Sequence, residues 1–472
     1  MRNLVWFRRD LRITDHPALS NACEQATEGV VAVYCITPEQ WKEHDDSPLK
    51  VHFWMQNVVC LSKALAAIRI PLLIIECDNY DDIPKRISAL ATEHDCGSLF
   101  FHREYEVNEA ERDKQVITMC EASGVTTFCY DDRVIVPPAN ISTKEGNFYT
   151  VFTPYRRVWD TRLDDVGEPI AAPKKQSEIQ IAPSDVPDKI DGYDFSSVRS
   201  DLWPAGEEEA HRRLHQFMDR IDAYDDRRDI PSVCGTSVLS PYLAAGVVSP
   251  RQCLSSALAL CKGDLSRSKG ATTWVSELTW RDFYAHVLVG FPRVSKHLAF
   301  NRKNDGVQWS HDDSTFNAWT EGQTGYPIVD AGMRQLNQTG WMHNRLRMVT
   351  AMFLTKHLLI DWRWGEKYFM DHLIDGDLAA NNGGWQWSAS TGTDSVPYFR
   401  IFNPFSQSKR FDTDGDYIKK FCPELKDVPA AALHDAAKLR REIERREIDY
   451  PDFVVDYKEG RERALAAFKA LN

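Results

Sequence analysis

The eleven cysteines of this 472-residue chain include no Cys-x-x-Cys pair. Neither a disulfide framework nor a zinc site is indicated, and the thiols read as reduced and mostly buried. Apolar runs are short: Pro71–Ile75 is typical, whereas a bilayer span needs about 20 residues. No Gly-x-Gly-x-x-Gly follows the first strand-like segment and no Walker sequence occurs, which removes ordinary dinucleotide and NTP binding. An excess of basic residues is missing too. With 57 Lys and Arg against 69 Asp and Glu, the net charge is −12, the wrong sign for indiscriminate binding to phosphate backbones. Repeats and low-complexity tracts are absent. Met1-Arg-Asn-Leu-Val-Trp-Phe-Arg-Arg-Asp10 places charge where a secretory signal carries its apolar region, so the cytoplasm is the expected location.

What is present fits a globular protein of two or three domains. Up to residue 130, short apolar runs rich in β-branched and aromatic residues, at Leu4–Phe7, Val30–Ile36, Leu72–Glu76, Ser98–His102 and Thr126–Tyr130, alternate with helical patterns such as Leu49–Ala67 and Asn108–Ala122. That alternation predicts a Rossmann-like five-stranded parallel sheet over residues 1–130. Residues 131–203 are broken by Pro137, Pro138, Pro173, Pro183 and Pro187 and read as a long connector. Residues 204–472 carry helical periodicity, as in Glu207–Ala223, Pro250–Cys261, Trp274–Val289, Ile328–Gln338 and Asn344–His357, and predict an all-helical domain.

Four segments carry the chemistry. Thr236-Ser-Val-Leu-Ser240 offers hydroxyls and backbone amides ahead of a helix, which suits phosphate oxygens as well as simple capping. Trp274, Glu277 and Arg281 are spaced to share one helical face, with Trp280 beside them, either as an aromatic ligand wall or as an amphipathic core helix. In Trp341-Met-His-Asn-Arg-Leu-Arg-Met348, Asn344 and Met348 share a face while Arg345 and Arg347 diverge. In Leu373-Ile-Asp-Gly-Asp-Leu-Ala-Ala-Asn-Asn-Gly-Gly-Trp-Gln-Trp387, Asp375 and Asp377 suggest a calcium loop, but Gln386 stands where the bidentate Glu belongs. No metal is expected. Nine of the fourteen tryptophans fall between Trp274 and Trp387; set among Asn, Asp and Arg, they point to an aromatic ligand in addition to core packing. Between Arg334 and Arg410, nine basic residues face six acidic ones, leaving room for a confined basic surface.

Taken together, Val5-Trp-Phe-Arg-Arg-Asp-Leu-Arg12, Tyr105-Glu-Val-Asn-Glu109 and the run from Gly325-Tyr-Pro-Ile-Val-Asp330 to Asn403-Pro404 resemble the photolyase/cryptochrome family, in its bacterial class I cyclobutane pyrimidine dimer branch. The resemblance implies non-covalent FAD, active as the anionic reduced form, and light-driven electron transfer to a pyrimidine dimer flipped out of UV-damaged DNA. It assigns Tyr224, Thr236, Ser237, Val238, Leu239, Ser240, Trp274, Glu277, Arg281, Asn344, Arg347, Asp375, Gly376, Asp377 and Asn381 to FAD. Within that set Arg347 pairs with Asp375, and Asn381 stands opposite flavin N5. Glu277 is implied to hydrogen-bond the dimer, Trp280 and Trp387 to clamp it, Asn344 and Met348 to line its pocket, and Arg345 to contact the DNA backbone. Trp385, Trp362 and Trp309 match a chain of indoles that re-reduces the flavin in light. His44, Asn108, Glu109 and Lys296 match positions for a methenyltetrahydrofolate antenna, with Ser295 where the pattern has Cys; Ser276 replaces an Asn beside Glu277.

The same resemblance leaves two alternatives: repair of (6-4) photoproducts, and cryptochrome signalling. The (6-4) branch has His where this chain has Asn344, and signalling members often replace the residue at Asn381 and extend the C-terminus. Dimer repair by a cytosolic bacterial monomer with no membrane partner is therefore the expectation.

Overall fold

The structure is a computed structural model and describes residues 1–394 and 400–471. They divide into two compact units. The first comprises residues 1–222, 237–292 and 375–379; the second comprises 223–236, 293–374 and 380 onward. The expected connector lies wholly within the first unit.

Five parallel strands, β1 (Arg2–Phe7), β2 (Val30–Ile36), β3 (Leu72–Glu76), β4 (Cys96–His102) and β5 (Thr126–Tyr130), form a sheet ordered β3-β2-β1-β4-β5. The inner runs form strands because helices on both faces bury them: every residue of β2 is buried, as are Leu4, Val5, Trp6 and Phe7 of β1, whereas the edge strand β5 is only partly covered. Helices Pro48–Ala67 and Val107–Ala122 provide two of the crossovers.

The strand order reverses beside β1, between its neighbours β2 and β4. Ligands of doubly wound sheets bind beyond the strand ends at such a point. Here the chain's own charges fill it. Arg9 reaches Glu104 at 2.8 Å and Glu106 at 2.8 Å, Arg112 reaches Glu104 at 2.6 Å, and all but the half-buried Arg9 are buried. A sheet whose crevice is occupied by guanidinium–carboxylate pairs has no need of a glycine fingerprint.

Next to this network Asp10 accepts hydrogen bonds from the rings of His16 (3.1 Å) and His102 (2.7 Å). These three groups lie close enough to ligate a cation. However, His16 Nδ1 accepts Leu19 N–H and His102 Nε2 accepts Ala18 N–H, so each ring already uses both nitrogens as a neutral tautomer. Burial, followed by the neighbouring His102, pushes the His16 pKa down to about 4. Its folded value lies below its unfolded one, so its contribution to stability is complete above about pH 6.5 and is lost as pH falls towards 4. Moving from pH 7 to pH 4 should therefore cost the first unit about 3 kcal/mol from this ring alone. Urea midpoints that match at the two pH values would refute this.

One helix departs from the expectation of an irregular connector. Phe152–Asp160 is helical, and its Tyr155 and Trp159 are fully buried. Pro154 in its first turn is compatible with a helix start, and the aromatic spacing is helical, but the surrounding prolines mask both signals. Trp159 Nε1 donates to Asp282 (2.9 Å), whose same carboxylate oxygen also accepts from Ile135 N and Val136 N. Burial raises the Asp282 pKa to about 6 in spite of these donors.

The second unit is helical around a core that includes Trp319, Tyr326, Leu346, Phe353, Trp362 and Trp385. Helix Pro327–Thr339 ends at Gly340, whose φ of 69° is the left-handed cap that favours glycine. The chain then turns into Trp341 and helix Asn344–Met352. The expected helix Asn344–His357 is α only as far as Met352; Phe353–His357 continues it as a π turn, a form concentrated at functional sites.

Candidate functional site

In the first unit the residues predicted for flavin and lesion fall into three groups. Helix Lys269–Gly290 carries Trp274, Glu277, Trp280 and Arg281. Trp274 is buried against Phe217, with ring centroids 5.1 Å apart. Glu277 is half-buried, and Trp280 stacks on Phe152 at 3.7 Å and 4°. Arg281 donates to the carbonyls of Arg133 and, at 3.5 Å, Leu243. Burial is the first cause that lowers its pKa.

Ser237–Leu239 has no regular structure, and Ser240 opens the short helix Ser240–Ala244. Val238 has φ 52°. Left-handed backbone is unfavourable for a β-branched residue, and strain of this kind clusters at ligand clamps.

The third group is Asp375–Asp377. Gly376 O accepts from the buried Lys50 Nζ at 3.2 Å, and Asp377 pairs with Arg133 at 2.6 Å. Asp377, Arg133 and Arg281 border one cleft with Tyr105 and Glu106. Arg133 also grips Glu106 through both carboxylate oxygens, at 3.0 and 2.9 Å. Lys50, Glu106 and Arg133 are absent from the expected site. Glu106 had a signal in the Tyr105–Glu109 motif; Arg133, set among residues read as connector, had none.

At the antenna positions of the first unit, His44 Nε2 lies 3.0 Å from Asn108 Nδ2, and His44 Nδ1 lies 3.5 Å from Glu109. Tyr80 OH donates to Glu109 at 3.3 Å. Burial, then the charge on Glu106, raises the Glu109 pKa. These groups form one cluster. Lys296 is an exposed residue of the second unit, at the turn Val294–Lys296.

In the second unit, Tyr224 is buried under the Arg228 guanidinium, 5.4 Å from its ring, and Thr236 is half-buried. His343 caps helix Asn344–Met352 by accepting the Arg345 N–H, and burial lowers its pKa to about 4. Asn344 is thereby left exposed at the helix start, with Arg347 and Met348 half-buried. Arg347 Nε donates to Met342 O at 2.8 Å. Arg345 pairs with Asp229 at 2.8 Å and lies 4.3 Å over Phe411.

Helix Leu378–Ala389 carries Asn381, Trp385 and Trp387. Asn381 Nδ2 donates to Glu366 O at 2.9 Å. That bond turns its carbonyl oxygen away as an oriented acceptor. Glu366, also missed, is buried and receives Asn382 at 2.7 Å and His297 at 3.0 Å. Its signal was a carboxylate on the apolar face of helix Trp362–His372. Trp387 lies 5.5 Å under the Arg400 guanidinium.

In the first unit, hydroxyls and amides at 237–240 and carboxylates at 375 and 377 are donors and acceptors of the kind a nucleotide takes, and in the second Asn381 offers an amide oxygen. A profile described as the FAD binding domain of DNA photolyase matches residues 274–470, and one described as DNA photolyase matches residues 3–174. The chain is 45% identical over 472 residues to deoxyribodipyrimidine photo-lyase of Escherichia coli K12, covering 99% of this chain and 98% of that one. This chain belongs to the DNA photolyase family.

A Vibrio cholerae photo-lyase of the same name is 42% identical, with 99% of both chains covered. Among solved structures, a class III photolyase from Agrobacterium tumefaciens superposes with a TM-score of 0.89 at 33% identity, covering 100% of this chain and 97% of that one. The photolyase architecture of an N-terminal α/β domain and a C-terminal FAD domain is therefore shared.

Within this family framework the three relay candidates all belong to the second unit. Trp362 and Trp385 are almost wholly buried and Trp309 is half-buried. The backbone of Gly365, one turn after Trp362, lies against the Trp385 ring, closer than any side chain at 365 would allow. Ser310, next to Trp309, bridges Ile360, two residues before Trp362. Beside them Lys356 is fully buried; its Nζ donates to Ala389 O (2.7 Å) and lies 4.1 Å over Phe468. Burial holds its pKa well below the usual lysine value.

Proposed function

We infer that this chain is a deoxyribodipyrimidine photo-lyase, an FAD enzyme that uses blue light to split cyclobutane pyrimidine dimers in DNA. The observation that carries this is full-length identity of 45% to a protein of that activity, joined to an Asn rather than a His at position 344. The second point excludes the proton-donating geometry of (6-4) repair. His343, the adjacent ring, is buried as a neutral helix cap and does not face outward in its place.

FAD, bound in its anionic reduced form, would supply the photoexcited electron. The chain's residues do the rest. Thr236, Ser237 and Ser240, with the backbone of Val238 and Leu239, would hold the pyrophosphate. Tyr224, Trp274, Glu277, Arg281, Asn344, Gly376 and the carboxylates of Asp375 and Asp377 would position the remainder of FAD. A pairing of Arg347 with Asp375 would place positive charge beside the ring and favour its anion. Asn381, pinned through its amide nitrogen, presents oxygen, the right polarity to accept a proton-bearing ring nitrogen. Glu277 would hydrogen-bond the dimer between Trp280 and Trp387, with Asn344 and Met348 lining the pocket and Arg345 on the backbone phosphate. Extrusion is cheaper for a dimer than for a normal base because its pairing is already weak.

The antenna would be methenyltetrahydrofolate, held by His44, Asn108, Glu109 and Lys296. The clustering of His44 and Asn108 at the buried Glu109 carboxyl supports that reading. A Sulfolobus tokodaii photolyase described with two FAD molecules, taken to imply a novel light-harvesting cofactor, TM-score 0.80 at 31% identity and full coverage of both chains, makes flavin the competing occupant. We further propose domains at 1–130 and 204–472 joined by 131–203, and a monomer in the bacterial cytosol.

Purified protein, chemically reduced and illuminated with blue light, should restore thymines from dimer-containing oligonucleotides, and Glu277→Ala should lower the yield per absorbed photon without loss of flavin. No restored thymine at full flavin occupancy would refute the enzyme reading. An unchanged yield in the variant would refute only the role of Glu277.

A further inference from the structure

Arg345, assigned above to the DNA backbone, is not presented to solvent as an open cation. Its Nη2 lies 2.8 Å from Asp229 Oδ2, its guanidinium covers the Phe411 ring at 4.3 Å, and its Nε is enclosed without a hydrogen-bond partner among the described residues. The side chain of Arg345 is 17% exposed and that of Asp229 is 35% exposed. Asp229 follows Arg227 and Arg228, and Arg228 Nε approaches its other carboxylate oxygen at 4.0 Å. Asp229 is therefore the carboxylate that meets the Arg345 guanidinium, next to Arg227 and Arg228 in the chain.

We propose that Asp229 is a specificity-determining residue: it withholds Arg345 from undamaged DNA and yields it to a phosphate only when a dimer is bound. The proposal rests on the repair reading above. A phosphate and a carboxylate compete for the same planar fork of donors. On a sliding undamaged duplex, taking Arg345 means exchanging one anionic partner for another and leaving the Asp229 carboxylate facing phosphates. That exchange gains little. When a flipped dimer anchors the strand, the neighbouring phosphate is held against the protein at high effective concentration, and the exchange becomes favourable. A partly exposed ion pair is weak enough to be displaced in this way. Asp229 thus acts against the wrong ligand, and its effect appears as a difference between two affinities.

Asp229→Asn keeps shape and removes the charge. Affinities of the full-length parent and variant should be measured across a salt series for one duplex with and without a single cyclobutane dimer. For undamaged duplex, the variant should bind several-fold tighter, with a salt slope steeper by about one unit, because one more arginine now neutralises a phosphate. For the dimer duplex the slope should be unchanged, since Arg345 contacts phosphate there in both proteins. Arg345→Gln should show the converse: a slope shallower by about one unit on the dimer duplex and no change on undamaged DNA. Slopes that change equally on both duplexes, or on neither, would overturn the proposal while the repair reading stands. A parent protein that does not prefer the dimer duplex would overturn both.

Discussion

Replacing Trp309 by Phe should abolish light-driven reduction of oxidised FAD in this protein and leave repair by chemically reduced protein at the parent level. An electron passing inward leaves a positive hole behind, and the hole must move outward faster than it recombines. Trp385 is enclosed, and its indole N–H has no hydrogen-bond partner among the described residues. The hole therefore cannot be settled there by proton loss to a neighbour. Trp362 is fully buried too. Trp309, half-buried, is the first of the three with access to water. A phenyl ring keeps the packing on Phe468, whose centroid is 6.0 Å away, but is much harder to oxidise than indole. The measurement is the absorbance of the flavin under blue light with an external donor, alongside dimer repair after chemical reduction. Equal photoreduction in variant and parent removes Trp309 from the path. Loss of repair as well would show that the substitution damaged the flavin site.

The strands were legible as short runs of β-branched and aromatic residues between helical patterns, and the observed Val30–Ile36, Leu72–Glu76 and Thr126–Tyr130 coincide with those runs, the first buried throughout and the two edge strands only partly. The helix Phe152–Asp160 was not, because prolines around it outweighed a three-aromatic stripe whose burial depends on a partner, Asp282, distant in sequence. The π turn at Phe353–His357, buried along its whole length, leaves no local mark. At the proposed site, Glu277, Asn344 and Asn381 are assigned from the sequence because unusual residue types stand there in the order of the family's motifs. Their supports could not be assigned in this way. Glu366 holds Asn381 through a backbone carbonyl, which any residue could supply, and Arg133 lies in a stretch whose composition reads as linker.

Arg133→Met should lower the unfolding free energy by about 3–5 kcal/mol, the usual cost of breaking a buried ion pair by removing one member. Arg133 is 9% exposed and joins two carboxylates, Glu106 and Asp377, themselves 4% and 12% exposed at the side chain. Burial and the nearby Arg9 pull its pKa down, while Glu106, Asp377 and Glu104 more than compensate and leave it raised. With Arg133 gone, Glu106 retains Arg9 at 2.8 Å, so the greater loss should fall on Asp377. This carboxylate is the one proposed to face FAD, and the variant should accordingly also bind FAD more weakly. The double variant Arg133→Met/Glu106→Gln should recover part of the stability, because it removes a buried carboxylate that has lost one of its two guanidinium partners, but not the FAD affinity. Urea unfolding of the full chain, with and without FAD, separates the two effects. A loss under about 1 kcal/mol, the range of an exposed pair, would mean that solvent reaches this network and that Arg133 does not set the position of Asp377.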